Sequence, residues 1–226
     1  MRINSINDVR LSQNFKYGIQ YNTNKSSFVN TQDTVSFNGL QDKNTKCLFV
    51  FDIDGVINNY PYCFIDWVNS KFQKNFKTFK ELQSIQIDEY NNYKELYRKS
   101  GVKQFQPINK DTVDTINKLY YAGEKIVLYT VRPVSKYKRI YYDTITWLKI
   151  NKINYHAIFW SDYSKEDFRN LGLKIKFFVD DNIDNAILFS QEGFKTFLLN
   201  CEFNQTNKKY SFIRVNKVSE ILELIW

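Results

Sequence analysis

One histidine and three cysteines in 226 residues leave few of the side chains from which zinc centres, disulfide frameworks and histidine-based catalytic sites are built. Cys47, Cys63 and Cys201 are far apart, odd in number and in no CxxC spacing, so neither a disulfide framework nor a zinc site is expected. His156 stands in the apolar stretch Tyr155-His156-Ala157-Ile158-Phe159-Trp160 and reads as an ordinary strand residue, which argues against a Ser-His-Asp triad. No run approaches the roughly 18 consecutive apolar residues needed to span a bilayer, and Met1 to Asn7 lack the apolar stretch of a secretory signal. A soluble, cytoplasmic protein in a reducing compartment, with no membrane partner, is the expectation. A dense basic block is also missing. The formal charge of +8 comes from scattered lysines, which suits general solubility or a small anionic partner better than a nucleic-acid footprint.

What is present is enough for a self-standing core. With 43% hydrophobic and 17% aromatic residues, a chain of this length buries roughly 70% of the surface exposed when unfolded. Residues 1 to 45 are rich in Asn, Ser, Thr and Gln and show no sustained period, so they read as a disordered leader. The alternative is an arm packed on the core, because Thr34-Val35-Ser36-Phe37 has local strand character. From 46 to 226 the texture is that of one α/β domain. Apolar runs of strand length at Cys47–Phe51, Lys125–Tyr129, His156–Trp160, Ile175–Val179 and Thr196–Leu199 alternate with amphipathic helical patterns, which predicts a three-layer, Rossmann-like parallel sheet.

One predicted helix has Asn109 as N-cap, Val113, Ile116 and Leu119 on one face, and Gly123 as its stop. Another carries Tyr137, Ile140, Tyr141, Thr144, Trp147 and Leu148 at helical spacing. Between about 58 and 106 the alternation pauses in aromatic, helix-leaning sequence, with segments 64–72 and 89–97 repeating large apolar groups every three or four residues. A small helical cap inserted after the first strand is expected there.

Three predicted strands end in polar signatures at their carboxyl ends, the edge where open parallel sheets bind ligands. The first runs into Asp52 and Asp54, the second into Thr130 and Arg132, the fourth into Asp180 and Asp181. Four carboxylates at one edge repel by roughly 4 kcal/mol per pair at 4 Å and an effective dielectric of 20, so a cation is required. All-oxygen donors with room for water and phosphate suit Mg²⁺. A calcium loop fits poorly, since Val56 stands where an EF-hand needs Asp or Asn and an apolar strand precedes Asp52.

These residues resemble the haloacid dehalogenase superfamily of aspartate-nucleophile phosphatases, whose motifs are DxDG(T/V), Thr or Ser, Lys, and DD in that order. The likeness is nearest to the 5'(3')-deoxyribonucleotidase-like branch. It runs through Tyr129-Thr130-Val131-Arg132-Pro133, Thr146-Trp147-Leu148, Trp160 to Lys165 and Phe178 to Asn182. The closing segments Leu199 to Asn204 and Arg214-Val215-Asn216 agree as well.

The resemblance implies a magnesium-dependent phosphomonoesterase. Asp52 is then the nucleophile and Asp54 the general acid and base. Thr130 and Lys165 hold the phosphoryl group, Lys165 being preferred over Lys174 and Lys176. Asp52, Asp180 and the Asp54 main-chain carbonyl bind the metal, with Asp181 as an outer carboxylate; the order of Asp180 and Asp181 is open. Arg132 either touches phosphate or sugar, or caps the loop that Pro133 stiffens. Tyr60, Tyr62, Phe64 and Trp67 either stack on a nucleobase or pack among themselves. A nucleoside monophosphate is the expected substrate. The alternatives are a sugar phosphate, a polynucleotide end, or a non-catalytic binding module on the same fold.

Overall fold

A computed structural model describes residues 18–21, 47–160 and 174–225. In chain order its elements begin with β1 (Gly18–Tyr21) and β2 (Leu48–Asp52), followed by the helices α1 (Tyr62–Phe72), α2 (Phe79–Gln83) and α3 (Ile87–Lys99). A 3₁₀ turn at Val102–Phe105 leads to α4 (Lys110–Tyr121), β3 (Lys125–Thr130), α5 (Lys138–Ile150) and β4 (Ala157–Trp160). The chain closes with β5 (Ile175–Asp180), α6 (Ile183–Gln191), β6 (Thr196–Leu199), β7 (Ile213–Val215) and α7 (Ile221–Ile225).

The seven strands form one sheet in the order β1-β4-β3-β2-β5-β6-β7. Strands β2 to β7 are parallel, and β1 runs antiparallel along the outer edge of β4. From β2 the chain builds outward first on one side and then on the other, so the strand order reverses at β2. Such a reversal opens a crevice at the carboxyl ends of the strands.

Burial explains why the strands are nearly continuous in apolar residues. Phe49 and Phe51 of β2 join Phe177, Val179, Val113, Ile116, Ile140 and Trp147 in one core. Leu48 and Val50, pointing the other way, join Phe178 and Phe189 in a second. Alternate residues of one strand thus fill both faces, with α4, α5 and α7 on the first and α6 on the second. Helix α4 forms as its sequence signals: the Asn109 side chain accepts from the Thr112 amide at 3.4 Å, and Val113, Ile116 and Leu119 are buried. Burying those three side chains contributes about 1.5–3 kcal/mol each.

The insert after β2 has a core of its own, Phe64, Ile65, Val68, Leu82, Tyr93 and Tyr97. Its neck is narrow. Asn58 and Ile108 form an antiparallel bridge, and the Asn109 amide donates to the Ile57 carbonyl at 2.7 Å.

Two strands lie outside the sequence expectation. Within the expected leader, Gly18–Tyr21 forms β1, paired from Gly18 opposite Trp160 to Tyr21 opposite Ala157. Strand β7, three residues long with only Val215 buried, carries no apolar run to announce it. His156 falls just before β4, where its amide donates to the Ile126 carbonyl at 2.9 Å. The three cysteines are free. Among the described residues no helix is long and apolar enough to cross a membrane.

Candidate active site

The parallel register sets Asp52 beside Tyr129 of β3 and Phe51 beside Val179 of β5, so the chain leaves all three strands at one edge. Asp52, Asp180 and Asp181 consequently each offer a carboxylate oxygen within 4.8 Å of the others, and all three residues are buried. At that separation like charges cost roughly 3.5 kcal/mol per pair at an effective dielectric of 20, which a cation offsets.

The backbone prepares the cluster. Asp52 accepts from the Ile53 amide at 2.8 Å. Asp180 accepts from the Asn182 amide at 2.9 Å and from the Asn185 side chain at 3.2 Å. The Asp181 carbonyl accepts from the buried Asn204 side chain at 2.8 Å, so the chain's closing segment holds the carboxylate pair in place. Gly55 has a positive φ of 89°, and a Cβ there would stand 2.0 Å from an Asp181 oxygen. Only glycine allows that approach.

The donor set fits a hard divalent cation such as Mg²⁺, because the cluster is all carboxylate, with no thiolate or imidazole among its members. Asp181, expected as an outer carboxylate, offers an oxygen to the same cluster as Asp52 and Asp180.

Asp54 does not join this cluster with its side chain. After β2 the chain turns so that Ile53, Val56 and Ile57 enter the core, and the Asn58 side chain pins the turn. Asn58 accepts from the Gly55 and Tyr60 amides at 3.0 Å each and donates to Asp54 at 2.8 Å. Arg132, from the loop after β3, grips Asp54 with two nitrogens at 2.9 and 2.6 Å. Lys103 stands 3.9 Å from the same carboxylate. Burial on its own would raise the Asp54 pKa, but the charges of Arg132 and Lys103 and the hydrogen bonds from Arg132 and Asn58 outweigh it and hold the carboxyl well below its ordinary range.

Arg132, for which the sequence left two roles open, here forms an ion pair with the carboxylate two residues beyond Asp52 and also borders the cavity described below. Arg132 also donates to Thr144 at 2.7 Å and to Gln106 at 2.8 Å. Buried Gln106 in turn accepts from Asn58 at 3.0 Å, donates to the Tyr97 hydroxyl at 2.7 Å, and accepts from the Trp147 indole through its carbonyl at 2.6 Å. One polar network therefore ties the insert to the strand ends. Asn58, Lys103 and Gln106 carry no motif signal, and only the folded chain brings them together. Thr130 is buried at the end of β3 and accepts from the Arg132 amide at 3.2 Å. Lys165 lies outside the described residues.

Between the insert and the strand ends lies a partly open cavity of about 180 Å³, bordered by Asp54 and Arg132 below and by Tyr60, Phe64, Tyr97 and Lys103 above. Of the aromatic residues singled out in the sequence, Tyr60 and Phe64 border this cavity, but Phe64 is fully buried in the insert core and its ring stacks against that of Tyr60 at 6.3 Å. Trp67 packs edge-on against Phe72 and Tyr97 in the insert core, and Tyr62 is exposed.

No family model matches the chain. Its doubly wound sheet has the α/β fold of solved structures described as haloacid dehalogenase-type hydrolases. Several solved structures share that fold. One is a Bacillus subtilis protein assigned to the haloacid dehalogenase hydrolases and solved with magnesium (TM-score 0.56, 12% identity, covering 80% of this chain and 98% of that one). Another is a Thermotoga maritima protein assigned as a β-phosphoglucomutase (TM-score 0.57, 12% identity, 80% and 100%). Among curated proteins the chain is similar to a nucleotidase of Clostridium acetobutylicum, at 26% identity over 181 residues, which is 77% of this chain and 91% of that protein.

Proposed function

We propose that the chain is a magnesium-dependent phosphomonoesterase acting on nucleoside monophosphates, with Asp52 as nucleophile. The observation that carries this reading is the cluster of Asp52, Asp180 and Asp181 at the strand-order reversal, beside a cavity that opens on Asp54. A nucleotide is supported by the nucleotidase likeness.

In the proposed reaction an Asp52 oxygen attacks phosphorus as the bond to the ester oxygen breaks, giving an aspartyl phosphate and an alkoxide that takes up a proton. Water then attacks phosphorus, releasing phosphate and restoring the Asp52 carboxylate. Asp54 borders the cavity and is the group proposed to give that proton and later to take one from water. Clasped by Arg132 it is held as the carboxylate, the form that accepts a proton. Giving one to the leaving oxygen requires that the clasp loosen. Thr130, and Lys165 from beyond the described residues, are the proposed holders of the phosphoryl oxygens. Asp52, Asp180 and Asp181 would hold the metal, whose charge offsets their repulsion and that of the phosphate.

The test is hydrolysis of nucleoside 5'- and 3'-monophosphates, sugar phosphates and an aryl phosphate, with Mg²⁺ or with chelator, by the natural chain and by Asp52→Asn. Chelation and the substitution are each expected to lower turnover by about a thousandfold or more, the scale on which losing a nucleophile acts. Turnover that survived both would sink the mechanism, and an aryl phosphate cleaved faster than every nucleotide would sink the substrate assignment.

A further inference from the structure

The cavity under the insert holds more positive charge than cleavage of one phosphate explains. Among the described residues, Lys94, Arg98, Lys103 and Arg132 border it, with Asp54 the one carboxylate. Arg132 is engaged with Asp54, and Lys103 reaches the same carboxylate only at 3.9 Å. Lys94 and Arg98 enter no ion pair among the described residues.

Both belong to α3, four residues apart and on one face, an arrangement in which like charges oppose helix formation. Each is nonetheless steadied by a ring, Lys94 over Tyr90 at 5.1 Å and Arg98 over Tyr137 at 5.7 Å. Burial, with Arg98 next, lowers the Lys94 pKa, and burial followed by Arg132 brings that of Lys103 down to about 8. These cations are gathered in a confined space against mutual repulsion, and an anion entering the cavity relieves it.

The place of the excess is informative. The cavity is bordered by Asp54, whereas Asp52, Asp180 and Asp181 are not in its lining. On the proposed reaction the cations would face the half of the substrate that departs, away from the phosphorus that Asp52 would attack. We infer that the leaving group of the substrate carries a second anionic group, a carboxylate or another phosphate, which Lys94, Arg98 and Lys103 bind in the cavity under the insert. The inference rests on the phosphomonoesterase reading and narrows its substrate from a simple nucleoside monophosphate to an ester whose departing half is itself anionic, such as a nucleoside bisphosphate.

The experiment compares kcat/KM within two matched pairs, adenosine 5'-monophosphate with adenosine 3',5'-bisphosphate, and glycerol 3-phosphate with 3-phosphoglycerate. The doubly anionic member of at least one pair is expected to lead by tenfold or more, and the pair that shows it identifies the second group as phosphate or carboxylate. That lead is expected to shrink towards unity at high salt and in Lys94→Gln/Arg98→Gln. Equal kcat/KM within both pairs would overturn the inference while leaving the phosphatase reading in place, and so would a lead that persists undiminished in the double variant. Failure to cleave any of the four esters would overturn both. The comparison on the natural chain and its salt dependence need no variant, so a folding defect in the double variant does not blunt the test.

Discussion

His156, the chain's lone histidine, serves the backbone: its Nδ1 accepts from the Ile126 amide at 3.1 Å, and its ring lies 4.7 Å from that of Tyr120. A nitrogen that accepts this bond must be unprotonated. Burial, helped by the charge of Lys125, lowers the imidazole pKa from 6.5 to about 4. Because the folded value lies below the unfolded one, the unfolded chain binds the extra proton between those limits. The contribution to stability is complete above pH 6.5 and is lost as pH falls from 6.5 towards 4. The sole imidazole resonance is expected to titrate near pH 4 in a proton NMR series, and the fall in urea midpoint across that window should be smaller in His156→Asn. A titration midpoint near 6.5 would refute the assignment.

Among the elements, the segment around Gln106 joins the insert to the sheet. Its side chain meets Arg132, Asn58 and Tyr97 while its carbonyl receives the Trp147 indole. Gln106→Leu keeps the volume but strands buried donors on Arg132 and Asn58, each worth about 1–3 kcal/mol when left unpaired. A loss of about 2–4 kcal/mol in urea unfolding is expected on that scale, and a change below about 0.5 kcal/mol would show that the network does not bear on stability. None of this could be read from the sequence, because a glutamine in an aromatic insert has no periodicity and its partners lie as far as 48 residues away in the chain. Five strands could be read to within a residue, since burial on both faces writes each as a short apolar run. Strands β1 and β7 could not: β7 shows one buried residue in three, and β1 sits in polar sequence and is made by backbone pairing with β4. The carboxylates of the site were legible because Asp52 and Asp180 each close an apolar strand. Arg132 was visible as a candidate, but its partner was not, since the contact to Asp54 joins loops 78 residues apart.

For the molecule as a whole, the sheet ends on one side at β1, which covers the outer edge of β4 through four paired residues. An uncovered edge is a template for pairing with another chain. The described cores draw on residues from Leu48 onward, so a chain begun at Lys46 is expected to keep its circular dichroism spectrum and cooperative melting. It is also expected to associate more readily at high concentration, as read by light scattering. Loss of cooperative unfolding would show that the preceding residues are part of the core, and identical association by both chains would show that β1 does not protect the edge.

The paired neck at Asn58 and Ile108 has a consequence for how such a protein diversifies. The chain leaves the sheet and returns to it at adjacent points, so everything between them is a loop that happens to be folded. Asp52 and Asp54 come before that loop, Thr130, Asp180 and Asp181 after it. Residues 59–107 can thus be lengthened, exchanged or rebuilt as a cassette, provided Gln106 or a substitute still grips Arg132. New leaving groups then become accessible by descent or by design without disturbing the residues proposed to break the bond.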